Sequence, residues 1–250
     1  MVKRFVLLII SFICTFYYND CHAQAQQADT IQQRVMAVNM EHFFNKAIGR
    51  QSRLYNGFAY QLVGINSPGN AYFNDTTSLV NGNVRYGGLS YRNVPLLYDI
   101  YNDVLVSRLM GGALLFSLVT EQVDDFDLFG HHFINLHAAD VNNVISAGYY
   151  DELYNSNQIQ LLAKRNKTFQ QDIQGVRNGR ISFSVLLNDR YYLKKDSLYY
   201  KISGSGKFLT LLGDKKKELR KYLKDNNIRY NDNPEQTMVL LTKYYDSLKK

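Results

Sequence analysis

Apolar and polar residues alternate with a period of two over much of residues 54–203, the pattern of strands that bury one face. The clearest run covers residues 94–106. One parity of this run comprises Val94, Leu96, Tyr98, Ile100, Val104 and Val106, and the other carries Asp99, Tyr101 and Asp103. This run predicts one strand on which Asp99 and Asp103 lie roughly 13 Å apart.

Turn residues divide this region into short strands. A Met-Gly-Gly sequence at residues 110–112 interrupts the pattern before residues 113–119 and predicts a hairpin. Similar interruptions fall at residues 155–157, 188–189 and 195–197, and Pro, Gly and Asn in residues 67–78 predict a loop. Turns roughly every eight to twelve residues predict an antiparallel sheet over residues 54–203, as a meander, an open half-barrel or a barrel.

Helical spacing of apolar residues appears on both sides of the sheet region. Residues 29–48 predict an N-terminal helix that ends at Gly49. After Gly204, a stripe of Phe208, Leu212, Leu219 and Leu223 predicts further helix, interrupted at Gly213 and Asp214. Asn233, Pro234 and Gln236 form a helix-start signal, and the apolar face of the last helix comprises Met238, Leu241, Tyr244, Tyr245 and Leu248. The predicted fold is mainly β with an α appendage: an N-terminal helix and two or three C-terminal helices.

The first 24 residues have the order of a secretory signal peptide. Lys3 and Arg4 precede an apolar run at residues 5–18, which is too short for a span of about 20 helical residues. Small residues then offer cleavage near Ala23 or Ala25. We therefore expect export to the periplasm or cell envelope, with no transmembrane helix in the mature chain.

Four segments follow from these patterns. They are a signal peptide (1–24), an N-terminal helical segment (25–53), an antiparallel β domain (54–203) and a basic helical appendage (204–250). The two cysteines, Cys14 and Cys21, both lie in the signal peptide, so the mature chain depends on core packing rather than disulfides. Lipid attachment at Cys21 is the alternative, but Asn19 and Asp20 stand where lipoprotein processing requires small residues.

Three adjacent tyrosine pairs lie in the sheet region, at residues 149–150, 191–192 and 199–200. Neighbouring residues of a strand point to opposite faces, so each pair predicts one ring on either side of the sheet. One ring of a pair can then pack while the other meets solvent or a ligand, so these amphipathic rings suit a two-sided sheet. An aromatic ligand surface is the alternative, although the chain has no Trp for stacking on sugars.

Positive charge is concentrated near the end of the chain. The formal net charge is +7, or +6 without residues 1–24, which hold Lys3, Arg4 and Asp20. Residues 214–224 predict a basic helix that is docked by Leu219 and Leu223. Its outward cations are Lys215, Lys216, Lys217, Arg220, Lys221 and Lys224, of which we select Lys216, Arg220 and Lys224 as candidate binding residues. They predict contact with an anionic envelope component (lipid, glycan or protein), while export argues against nucleic acid; the alternative is a solvated face.

Catalytic and metal-binding patterns are weak. Along a strand, His131 and His137 would lie about 20 Å apart and His132 would face the other way, so we predict no metal site and no cofactor. Asp125 and Asp127 would lie about 7 Å apart on one face, a separation that inverting glycosidases use. That chemistry also needs one carboxyl kept protonated by an apolar pocket, whereas the neighbouring Asp124 indicates solvent.

Common catalytic motifs are absent from the sequence: it contains no serine elbow, Walker loop, dinucleotide glycine pattern or zincin helix. We therefore expect a non-catalytic exported envelope protein with a binding or structural role. The alternative is a hydrolase that acts on envelope polymers or glycans through carboxylates.

Four segments resemble an uncharacterised family of exported Bacteroidota proteins of this length. They are residues 54–57 (LYNG), 82–86 (GNVRY), 91–106 (YRNVPLLYDIYNDVLV) and the lysine-rich residues 214–222. The resemblance covers roughly two thirds of the mature chain. It implies export but no activity or site. It also implies O-glycosylation at Asp-Ser/Thr-aliphatic triplets, which occur at residues 29–31, 196–198 and 246–248 and, in a looser form, at 75–77.

Overall fold

The computed structural model describes residues 53–62, 69–109, 112–141, 143–172 and 182–249, together with Met36, which is helical. The predicted signal peptide and the rest of the predicted N-terminal helix lie outside this part of the chain. Residues 1–49 and 50–250 form two compact units. The sheet and the helices that follow it belong to the second unit.

An antiparallel sheet of eleven strands forms the body of this unit. The strands along the chain are β1 (Phe58–Ala59), β2 (Val80–Tyr86), β3 (Leu89–Asp99), β4 (Val104–Arg108), β5 (Leu115–Ser117), β6 (Val123–Leu128), β7 (His131–Leu136), β8 (Gly148–Asn155), β9 (Ile159–Lys164), β10 (Lys167–Asp172), β11 (Ser182–Leu187), β12 (Arg190–Lys195) and β13 (Leu198–Ile202). Their order in the sheet is β1-β5-β4-β3-β2-β6-β7-β8-β9-β12-β13, and β10 and β11 form a separate hairpin. The predicted antiparallel meander is confirmed, and the sheet is open, with β1 and β13 at its edges.

Three helices follow the sheet: α1 (Ser205–Leu211), α2 (Lys216–Asp225) and α3 (Pro234–Ser247). Short 3-10 turns lie at Arg53–Tyr55, Phe73–Asp75, Thr120–Gln122 and Gly213–Lys215. The last of these turns separates α1 from α2, which confirms the predicted interruption. Asn233 caps α3, because its side-chain oxygen accepts a hydrogen bond from the backbone N–H of Gln236 at 3.0 Å.

The predicted single strand over residues 94–106 is wrong: the chain reverses between β3 and β4. Asp99 is buried and caps this turn, since its carboxylate accepts hydrogen bonds from the backbone N–H groups of Tyr101 and Asn102 at 3.0 and 2.9 Å. Asp103 has a φ of 58°, in the left-handed region. The reversal also changes the apolar parity, so that Leu105 is paired with Tyr98.

The sheet curls strongly around an aromatic core. Four strand-to-strand steps separate β3 from β8, a distance of about 19 Å in a flat sheet. The rings of Tyr98 on β3 and Tyr149 on β8 nevertheless lie 5.7 Å apart. Between these strands, Phe126 packs against both tyrosines, and Phe133 packs against Tyr98 and Phe126. An ion pair between Asp103 and Lys164 (2.5 Å) also joins the β3–β4 turn to β9. The observed form is therefore an open, strongly curved sheet.

Both faces of the sheet are covered. Tyr149 lies in the aromatic core, whereas Tyr150 packs with Tyr192 on the opposite side, as the tyrosine pairs predict. Near β3 and β4, this second side packs against Phe169 of the β10–β11 hairpin and against Ala71 and Tyr72. The predicted loop at residues 67–78 thus contributes two fully buried side chains to the core.

The helices cover the other end of the sheet. Ile159, Leu161 and Leu193 of β9 and β12 pack against apolar side chains from all three helices. The helical partners that are fully buried, or nearly so, are Phe208, Leu219, Met238, Leu241 and Tyr245. This packing fixes α2 and thereby decides which of its side chains meet solvent.

Arg165 links the sheet to the helices through three carboxylates. Its side chain is only 8% exposed and contacts Asp151 of β8 (2.5 Å), Asp189 before β12 (2.7 Å) and Glu235 in the first turn of α3 (2.6 Å). The hydroxyl of Tyr191 donates a further hydrogen bond to Glu235 at 2.9 Å. Because Asp151 is almost fully buried, the guanidinium is the main group that compensates its charge.

Arg165→Gln should therefore destabilise the protein by about 3–5 kcal/mol, because it leaves the carboxylate of Asp151 buried with insufficient compensation. Urea unfolding followed by circular dichroism measures this change. Arg190→Gln is the matched control, since Arg190 is exposed and we expect a change within about 0.5 kcal/mol. Equal stability of the two variants would contradict the structural role of Arg165.

Candidate functional site

Helix α2 presents a basic face because its apolar side is docked. Leu219 is fully buried and Leu223 is partly buried against the same helical core, as predicted. Arg220 and Lys224 are exposed, and Lys216 is partly exposed. The three candidate residues are spaced four apart, so they follow one side of the helix over about 12 Å.

Two of the six predicted cations are neutralised within the helix region. Lys215 lies 3.8 Å from Glu218, and Lys221 lies 2.5 Å from Asp225. Lys216, Lys217, Arg220 and Lys224 have no carboxylate partner in the described ranges. We call these four residues the basic face of α2.

Asp214, just before α2, is bound by side chains outside that helix. Its carboxylate accepts hydrogen bonds from Lys249 and Lys195 and from the hydroxyl of Tyr245, at 2.6, 3.3 and 3.0 Å. Partial burial opposes ionisation, but these hydrogen bonds outweigh it and lower the pKa of Asp214 to about 2. Asp214 therefore does not offset the charge of the basic face. The sequence alone could not reveal this, because the partners of Asp214 lie far from it along the chain.

Asp125 and Asp127 lie on β6, on either side of the inward-facing Phe126. Asp125 forms an ion pair with Arg85 (2.5 Å), and Asp127 contacts His132 (2.7 Å). Their side chains are 23% and 52% exposed. Each carboxylate is thus solvated and paired with a basic group, whereas a general acid needs a carboxyl kept protonated by an apolar environment.

The three histidines do not converge. His132 contacts Asp127 of β6, whereas His131 contacts Asp151 of β8 at 2.8 Å, and the backbone N–H of His137 bonds to Asp140. Among the residues that the structure describes, no group of three or more His, Cys, Asp or Glu side chains is placed to hold a metal ion.

The Asp-Ser/Thr-aliphatic triplets occupy different environments. Ser197 is exposed in the β12–β13 turn, with a φ of 64°. Ser247 is exposed at the end of α3, but the preceding Asp246 is buried and accepts a hydrogen bond from the hydroxyl of Tyr154. Thr76 is partly exposed after the 3-10 turn at Phe73–Asp75, and the triplet at residues 29–31 lies outside the described residues.

The contact between His131 and Asp151 is one of the polar contacts that the sequence did not predict. Nothing local in the sequence singles out Asp151, because a second acidic residue, Glu152, directly follows it in β8. The hydrogen bond to Asp151 raises the pKa of His131 above its ordinary value, although partial burial opposes the shift. His131 thus adds a second, titratable cation to the buried cluster around Arg165.

The contribution of His131 to stability should depend on pH. Because its pKa is raised in the folded protein, this stabilisation is complete below about pH 6.5, the unfolded value, and is lost as the pH rises through the folded value. His131→Gln should therefore destabilise the protein more at pH 5.5 than at pH 8.5, as measured by urea unfolding at both pH values. His137→Gln is the control; an equal loss at both pH values for His131→Gln would refute the linkage.

No protein-family model, curated protein or solved structure matches the chain. The resemblance to exported Bacteroidota proteins therefore stays a prediction. In the part of the chain that the structure describes, no helix has the length and apolar character needed to cross a bilayer.

Proposed function

We propose that this chain is a non-catalytic protein of the cell envelope that binds an anionic envelope component through the basic face of α2. The observation that carries the proposal is a line of three cations, Lys216, Arg220 and Lys224, that have no carboxylate partner among the described residues. Lys217 lies beside this line, and the apolar side of the helix is docked. Docking holds these cations in fixed relation to one another. A ligand therefore meets a preformed charged surface rather than a mobile tail.

The geometry favours a ligand with repeated negative charge. The cations lie on the convex surface of a helix and extend over about 12 Å, so one small anion cannot contact all of them. Surface charges act over roughly 8 Å at physiological ionic strength. Each contact should therefore contribute little to the affinity, and several contacts along a polyanion or anionic surface should add up. The affinity should fall as the salt concentration rises.

The alternative of a hydrolase that acts through Asp125 and Asp127 has less support. Both carboxylates are paired with basic side chains and open to solvent. This arrangement suits acceptors of hydrogen bonds better than a general acid.

The proposed location rests on the order of residues 1–24. We expect the mature chain in the cell-envelope fraction to begin just after Ala23 or Ala25, as N-terminal sequencing would show. Cytoplasmic protein that retains Met1 would contradict both the location and the choice of partner.

Reversal of three charges tests the binding surface. The variant Lys216→Glu, Arg220→Glu and Lys224→Glu should lose at least tenfold in retention on liposomes that contain anionic lipid, or on an acidic polysaccharide, at low salt. Circular dichroism should show an unchanged fold, because the Arg220 and Lys224 side chains are exposed and Lys216 is partly exposed.

The matched control reverses Arg190, Lys201 and Lys207 to Glu, which changes the formal charge equally at exposed positions outside α2. This control should retain most of the binding. If both triple variants lose binding equally, net charge rather than the basic face is responsible. If the wild-type protein does not bind either material at low salt, the proposal is wrong.

A further inference from the structure

A polar recess of about 380 Å³ lies on the sheet, remote in sequence from α2. It is bordered by β2, β3 and β6, on the side opposite the aromatic core. The polar side chains that line it include Asn83, Arg85, Arg92, Asn93, Asp125 and Asp127. Its volume falls at the lower end of the range for small-molecule clefts, about 300–1,000 Å³.

Departures from regular strand geometry converge on this recess. The register of β2 shifts between Gly82 and Val84 against β3, and again between Arg85 and Tyr86 against β6. Such bulges change the direction of side chains and recur beside binding sites. Asn93 also has a φ of 53°, in the left-handed region.

Gly82 is required for this arrangement. A Cβ at this position would lie 2.4 Å from the backbone oxygen of Asp127, which is closer than carbon and oxygen can approach. The glycine therefore allows β2 and β6 to come together beneath the recess. Asn83 and Asp127 are paired directly beside it.

Charge in the recess is balanced. Asp125 is paired with Arg85, Asp127 contacts His132 and Asn83 at 2.7 and 3.4 Å, and Arg92 supplies a second guanidinium. Two arginines thus face two aspartates, and neither an anion nor a cation gains a net attraction. Planar carboxylate, amide and guanidinium groups instead offer many donors and acceptors to an uncharged ligand.

Several of these groups keep free hydrogen-bonding capacity. Both Arg85 contacts are to one oxygen of Asp125, and the other oxygen has no donor among the described residues. Within the same ranges, the side chains of Arg92 and Asn93 have no hydrogen-bond partner. Hydroxyl groups both donate and accept, so adjacent hydroxyls of a sugar ring match this mixture.

We infer that this recess is a binding site for a neutral glycan, whose hydroxyl groups accept hydrogen bonds from Arg92, exchange them with the Asn93 amide and donate them to the paired carboxylates of Asp125 and Asp127. The carboxylates act as acceptors that their basic partners keep in place. This site is independent of the basic face of α2, because it consists of other residues and binds an uncharged ligand rather than an anionic one.

The test measures binding of defined oligosaccharides to the full mature chain by saturation-transfer NMR and calorimetry. The probes are maltohexaose, cellohexaose, mannohexaose and xylohexaose, with a hexamer of galacturonic acid as the charged comparison. At least one neutral probe should bind. Asp127→Asn and Arg92→Gln should each weaken that binding about tenfold, the effect of one lost hydrogen bond to a charged group.

Asp124→Asn is the matched control, because Asp124 neighbours the site on β6 but accepts a hydrogen bond from the backbone N–H of Gly88, outside the recess. It should bind like the wild-type protein. Failure of all neutral probes, a preference for the acidic hexamer, or equal binding by Asp127→Asn and Arg92→Gln would each overturn the inference. The triple variant of α2 should bind the neutral probe normally, so that failure of one site is distinguishable from failure of the other.

Discussion

Compensation of one buried carboxylate, Asp151, is the constraint on which the rest of the structure depends. Its charge lies almost out of reach of water, and an unpaired charge in such a place costs several kcal/mol. The guanidinium of Arg165 forms an ion pair with Asp151, and its remaining N–H groups bind Asp189 and Glu235. The same guanidinium therefore joins β8, the residues that precede β12 and the start of α3. Apolar packing stabilises the helices against the sheet, and the ion pairs of this cluster determine the position of α3 on it.

The two proposed surfaces follow from that placement in different ways. α2 presents cations because its leucines are used in the interface with the sheet, while Asp214 is held by Lys195 and Lys249. The polar recess depends instead on the sheet itself, on two bulges and one glycine that bring β2 and β6 close. One surface carries uncompensated charge, and the other contains charges that cancel. They are suited to different kinds of ligand.

Much of the fold could be predicted from local patterns because those patterns have local causes. Turn residues at 155–157, 188–189 and 195–197 separate strands as expected, and Asn233 caps α3. The β3–β4 turn was missed because its stabilising group, Asp99, stands in a run whose alternation continues across the reversal. Residues brought together across the sheet were not predictable at all. Arg165 meets Glu235 across 70 residues, and the recess arises from the register between β2, β3 and β6.

Glu235 follows all the strands of the sheet in the sequence, and this order affects how the chain folds. Strands β2 to β9 can pair as they emerge, but the group that completes the pairing of Arg165 arrives only with α3. Contacts between residues far apart in sequence form slowly, since a long loop must close first. The last stage of folding should therefore be the docking of the helical appendage. Until α3 has been synthesised, Arg165 lacks its Glu235 partner, and the apolar side chains of β9 and β12 that pack against the helices remain uncovered.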